Sequence, residues 1–116
     1  MEKSELLELY YQLKDEYTNV IQKIAEYQLL KDSLNELKKQ ENTYIHFGGS
    51  IFVKGKILDD ERLLVNIGDN IFVEKTKEEV IKILEDTIKE LEKIKVELEK
   101  EIDNIKSKLQ PQGHEE

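Results

Sequence analysis

Cysteine and tryptophan are absent from the 116 residues, and proline occurs once. Without cysteine there is no disulfide framework and no thiolate metal site, which fits a reducing compartment. No run approaches the roughly 18 apolar residues that a membrane span needs. The opening MEKSELLELY also carries acidic residues inside its apolar stretch, so the chain is expected to work in the cytoplasm with no membrane partner. Concentrated basic charge is missing as well. At a net charge of −8 and an isoelectric point near 4.9, phosphate contacts lack cations, which argues against nucleic acid. Charged and hydrophobic residues each make up 38%, the balance of long helices with a narrow apolar seam.

Ser4, followed by Glu5 and Glu8, reads as the start of a helix spanning 4–42. Its seam is Leu6, Tyr10, Leu13, Tyr17, Val20, Ile24 and Tyr27, then Leu30, Leu34 and Leu37 after one slip in spacing. Thr76-Lys77-Glu78-Glu79 has the form of a capping box and opens a second helix over 76–109. Its seam runs Ile81, Leu84, Ile88, Leu91, Ile94, Leu98, Ile102, Ile105, Leu109, with a slip at Ile88-Leu91-Ile94. Folded back antiparallel, facing positions would sum to about 120, placing the two slips at one height so that both seams drift together. Pro111 and Gly113 mark the stop, and residues 110–116 are expected to be disordered.

Between the helices, 44–75 changes to alternation. Gly48, Ile51, Phe52, Val53 return as Gly68, Ile71, Phe72, Val73, which predicts two similar β-hairpins turning at Gly48-Gly49-Ser50 and Gly68-Asp69-Asn70. One face takes Ile51, Val53 and Ile57, continued by Leu63, Val65, Ile67, Ile71 and Val73. Isolated hairpins are marginal in water and leave open edges. Pairing with the same block of other chains, into a shared sheet or barrel, would satisfy them. Leu64 and Phe72 are then interface candidates, or else cover the helix ends. The fold class expected is mainly α with a small β module: a single domain over 1–116 in which an antiparallel two-helix coiled coil is joined by two β-hairpins that assemble into an oligomeric β-barrel.

No catalytic constellation is visible. His46 falls in a strand and His114 in the tail, neither with a companion at metal-ligand spacing. Gly48-Gly49 lacks the Lys-Ser/Thr and following helix of a phosphate loop. The carboxylates lie on helix faces without a cleft to shift their pKa. An enzyme, a cofactor, a metal and nucleotide dependence are all read as absent. The irregular feature is the far end of the helices, where Leu7, Leu9 and Tyr11 exceed what one partner helix can bury beside Leu6, Tyr10 and Leu13. Such an excess marks a contact surface for something outside the pair. The alternative is that these residues fray or pack near Ile102 and Ile105.

Helix, two hairpins, helix, with YIHFGGSIFVKGKI, RLLVNIGDNIFVEKT and KEEVIKILEDTIKEL, resembles the alpha-class subunits of prefoldin over nearly the whole chain. The second hairpin, Arg62 to Lys75, separates this class from the similar beta class with its single hairpin. The resemblance implies a hexamer with beta-class subunits, its hairpins (Ile51, Phe52, Val53, Leu63, Leu64, Val65, Ile71, Phe72, Val73) in a central barrel. It also implies coiled-coil tips (Leu6, Leu7, Leu9, Tyr10, Tyr11, Leu13, Ile102, Ile105, Leu109) that hold unfolded polypeptides without ATP and deliver them to a group II chaperonin. Some archaeal alpha-like relatives instead assemble with themselves into filaments, and no residue separates the two behaviours. A structural filament protein and a coiled-coil adaptor for one folded partner are the competing readings.

Overall fold

A computed structural model of the chain describes residues 2–110. The order of elements is α1 (Lys3–Glu36), β1 (Gln40–Gly48), β2 (Ile51–Ile57), β3 (Arg62–Asn66), β4 (Phe72–Thr76) and α2 (Lys77–Leu109). Two compact units divide it: residues 1–28 with 86–116, and residues 29–85. The expected tail lies mostly outside the described residues, as do Pro111, Gly113 and His114.

In the first unit the N-terminal part of α1 packs on the C-terminal part of α2. Leu6, Leu13, Leu98, Ile102 and Ile105 form the buried cluster, and Leu9, Tyr10, Tyr17, Val20 and Leu109 are packed against it. The Tyr17 hydroxyl donates to Glu99 Oε2 at 2.8 Å. The helices therefore run antiparallel, as expected. In the second unit Lys31 Nζ approaches Glu85 Oε2 at 3.7 Å. Both pairs have positions that sum to 116, close to the expected value.

The two slips do not occur. Beyond Tyr27 the partly buried positions of α1 are 31 and 34, and Leu30 stays 47% exposed. On α2 the seam runs through the partly buried 88, 91 and 95 to the buried Leu98, leaving Ile94 at 42%. Each helix keeps an unbroken heptad spacing and places a lysine in the seam where the apolar lettering points one residue earlier. A lysine can do this because its four-carbon stem packs while the ammonium reaches the rim. There Lys31 meets Glu85, and Lys95 meets Glu92 at 3.5 Å. Polar seam residues hold register at a cost in stability. Lys31→Leu and Lys95→Leu are each expected to stabilise the chain by about 1 kcal/mol. Calorimetry would register this as a higher Tm, and a lower Tm would show that the ion pairs outweigh the packing.

The start and end of α1 also differ from expectation. Ser4 lies inside the helix. The cap is Glu2, whose carbonyl accepts from Leu6 N–H at 3.0 Å while its N–H donates to Glu5 Oε1 at 2.9 Å. The helix stops at Glu36 rather than near 42, because Gln40 and Thr43 join the ladder opposite Ile57 and Gly55. Lys77 Nζ donates to the freed Leu37 carbonyl at 2.9 Å, supplying the cation that the last turn of α1 lacks.

Both hairpins form as antiparallel pairs, β1 with β2 and β3 with β4. Gly49 turns the first at φ 55°. In the second, Asp69 and Asn70 take φ 52° and 59° after Gly68 at 122°, with Asn66 Oδ1 accepting from Gly68 N–H at 2.8 Å. Thr76 and Glu79 make the reciprocal capping box: Thr76 N–H donates to Glu79 Oε1 at 2.8 Å, and Glu79 N–H donates to Thr76 Oγ1 at 3.1 Å. The backbone bond from Thr76 holds the Glu79 carboxyl below the usual carboxylate range.

Candidate functional site

At the free end of the helix pair, the sequence-predicted contact residues separate into three groups. Leu6, Leu13, Ile102 and Ile105 are buried, each at 9% exposure or less. They form the unit's core, so contact with anything outside the pair requires the helices to part. Leu9, Tyr10 and Leu109 are half-buried against that core. Leu7 and Tyr11 remain outside it, 39% and 63% exposed. Helical geometry explains the split: Leu6, Tyr10 and Leu13 follow the seam, and Leu7 and Tyr11 follow the strip one residue along. Tyr11 stands edge-on to Tyr10 with ring centroids 5.4 Å apart, so its exposed ring rests on a side chain anchored in the core.

The same strip continues at Lys14, Thr18 and Ile21, four and three residues on each time, and Ile21 is 42% exposed. Across the pair Val96 is 43% exposed, three residues before Glu99 on one face of α2. Ile21 escaped the sequence reading because it sits beside the seam residue Val20, and Val96 because it stands between Lys95 and Glu97; the signal was their spacing from Leu7 and Glu99. A shallow hollow of about 320 Å³ opens beside the strip, lined by Tyr10, Lys14, Tyr17, Glu99, Asp103 and Lys106 together with Ile102. Lys14 Nζ lies 5.8 Å from the Tyr10 ring centroid. The hydrogen bond to Glu99 raises the Tyr17 pKa above its ordinary value, with burial adding to the effect.

The hairpins are a second exposed surface. Cross-strand partners put Tyr44, His46, Phe52 and Lys54 on one face of the first, and Ile45 and Val53 on the other. Ile51, Phe52 and Val53 are all exposed. In the second hairpin Leu63, Val65 and Val73 are half-buried while Leu64, Ile71 and Phe72 are exposed. Ile67 and Ile71 were expected on the buried side, yet both stand open near the turn. His46 serves the first turn: its Nε2 lies 2.7 Å from the Gly49 carbonyl oxygen, and its ring is 5.2 Å from that of Phe52. Among the described residues no group of three or more His, Asp or Glu side chains could hold a metal ion, and no helix is long and apolar enough to cross a membrane.

The family model described as prefoldin subunit matches residues 7–114. The chain belongs to the prefoldin family. Prefoldin subunit alpha of Methanococcus aeolicus is 34% identical to it over 88 residues, covering 66% of this chain and 60% of that protein. Prefoldin subunit alpha 1 of Methanocaldococcus jannaschii is 31% identical over 91 residues, covering 75% and 63%. This chain thus spans about three fifths of the length of those prefoldin relatives. Filamentous prefoldin from Methanocaldococcus jannaschii has the same fold, with a TM-score of 0.78 at 24% identity over 91% of this chain and 90% of that one.

Proposed function

We propose that this prefoldin chain is a subunit of an ATP-independent holdase in the cytoplasm, one that captures non-native polypeptides at the free ends of its helical arms. The observation that carries this reading is the exposure of Leu7 and Tyr11 directly over a packed core. A weak apolar contact on each arm becomes useful when several arms in one particle act on the same client. Beta-class subunits are the partners that the family resemblance implies, joined through the hairpins in a barrel, with a group II chaperonin receiving the client. No catalytic role is assigned to the chain. A second reading, a filament built from this chain alone, draws support from the shared fold with a filamentous prefoldin.

Light scattering tests the choice. A denatured model client is diluted without nucleotide into this chain mixed with a beta-class subunit. Suppressed scattering is the expected result. Unchanged scattering from a confirmed assembly rejects holding, and very large particles from this chain alone favour the filament.

A further inference from the structure

The two hairpins are separate two-stranded sheets, so among the described residues β1, β2, β3 and β4 each leave one edge unpaired. All but one of these edges are guarded. β1 carries an extra residue between Gln40 and Thr43 and another between His46 and Gly48, bulges that break its line. β2 is centred on Lys54 and β4 on Glu74, and charged side chains are a device that keeps sheet edges apart. β3 is the exception: Leu63, Leu64, Val65 and Asn66 run without charge, glycine, proline or bulge, and Leu64 is exposed.

Backbone bonds define what that edge offers. Ile67 N–H donates to the Ile71 carbonyl at 2.9 Å beside the turn, and Lys77 N–H donates to the Glu61 carbonyl at 2.7 Å at the other end. The register between them is regular, and bonded pairs alternate with non-bonded ones along an antiparallel ladder. The backbone groups of Leu63 and Val65 therefore face β4, while the N–H and C=O of Leu64 and Asn66, with the C=O of Arg62, point outward. Arg62 N–H donates to Asp59 Oδ1 at 3.2 Å, which closes the edge at its start.

We propose that β3 is a two-fold contact between copies of this chain: it pairs antiparallel with β3 of a second copy, Leu64 opposite Leu64 and Arg62 opposite Asn66, joining their second hairpins into one sheet. The inference rests on the hairpin assembly of the proposed function and names the strand and the partner that carry it. Self-pairing in full overlap would set Lys54 against Lys54 on β2 and Glu74 against Glu74 on β4. Like charges directly opposite are destabilising, and sliding the strands to separate them shortens the ladder. On β3 the centre is leucine on leucine, and the only cation, Arg62, meets an amide. A two-fold contact needs such a self-complementary patch. Main-chain bonds supply the attraction, and the side chains set the register.

Multi-angle scattering on the full chain alone, without client or beta-class subunit, tests the pairing. The parent is expected to be a dimer or larger. Leu64→Lys and Leu64→Glu should each lower the mass by about twofold or more, since either places like charges opposite each other at the two-fold axis. An equal mixture of the two variants should restore it, because lysine then stands opposite glutamate. Leu64 is 69% exposed, so neither substitution disturbs a packed site. Unchanged mass in both variants, or two dissociated variants that stay apart when mixed, overturns the proposal. A monomeric parent also overturns it, and the holdase reading survives that result if the mixture with a beta-class subunit still suppresses client aggregation. If the mixed variants pair while the complete assembly leaves the client aggregating, the holdase reading fails and the β3 contact stands.

Discussion

Glutamate at positions 7 and 11 is expected to abolish the holding of a denatured client while leaving assembly and thermal stability close to those of the parent chain. Leu7 and Tyr11 are 39% and 63% exposed. Exposed substitutions of this kind usually alter stability by less than about 0.5 kcal/mol. Their effect on the client is much larger, because each arm loses apolar contact and gains a charge that an apolar segment would have to desolvate. Several arms act together, so a modest loss on each is multiplied in the particle. Leu13→Ala is the contrasting variant. It removes a core residue that is 7% exposed, with an expected cost of about 2–4 kcal/mol, and would impair holding by loosening the arm itself. The measurement is light scattering from the client beside a melting curve for each variant. Full suppression by the Leu7→Glu, Tyr11→Glu protein would remove this end of the arm as the holding surface.

That comparison is cleaner than cutting the ends off. Removing residues 1–13 would take Leu6 and Leu13 out of the cluster they build with Leu98, Ile102 and Ile105. Sequence reasoning could identify an excess of apolar residues near Leu7, but it could not divide them into core and surface. The division depends on one residue of helical phase, about 100° of rotation, which the letters alone do not fix. The same sensitivity produced the two slips. Apolar lettering leads from Tyr27 to Leu30 and from Leu91 to Ile94, whereas packing follows the spacing to Lys31 and Lys95. A lysine stem can fill a seam position, so residue type is a poorer guide there than period.

Features fixed by neighbours in sequence were legible. The Thr76–Glu79 box, the turn at Gly68-Asp69-Asn70 and the alternation of Leu63, Leu64 and Val65 all depend on local backbone chemistry, and each appears as expected. The end of α1 was not legible, since no glycine or proline marks it. The helix yields at Glu36 because Gln40 and Thr43 find partners across the first hairpin. That is a competition between two hydrogen-bond ladders, decided by a strand many residues away.

The hairpin surface leads to the second large effect. Leu64→Asp combined with Phe72→Asp is expected to collapse the assembled particle to dissociated chains, seen as a fall in mass by sedimentation or multi-angle scattering. Leu64 is 69% exposed and Phe72 is 52% exposed. Their cross-strand partners, Glu74 and Asn66, put both on the face that also carries Arg62, whose Nη1 lies 3.8 Å from Glu74 Oε1. In a single chain the new aspartates would stand in water at little cost. Once that face is covered by another subunit, each unpaired carboxylate must be desolvated, a penalty of several kcal/mol per ion that an interface of small hairpins cannot absorb. The helical arm does not share this dependence, since its cluster of Leu6, Leu13, Leu98, Ile102 and Ile105 lies in the other compact unit. Circular dichroism should therefore retain most of its helical signal while client holding disappears with the particle. A particle of unchanged mass would place the assembly contact on the remaining exposed face, that of Ile45, Ile51 and Val53 in the first hairpin. The same substitutions there would then be the decisive ones.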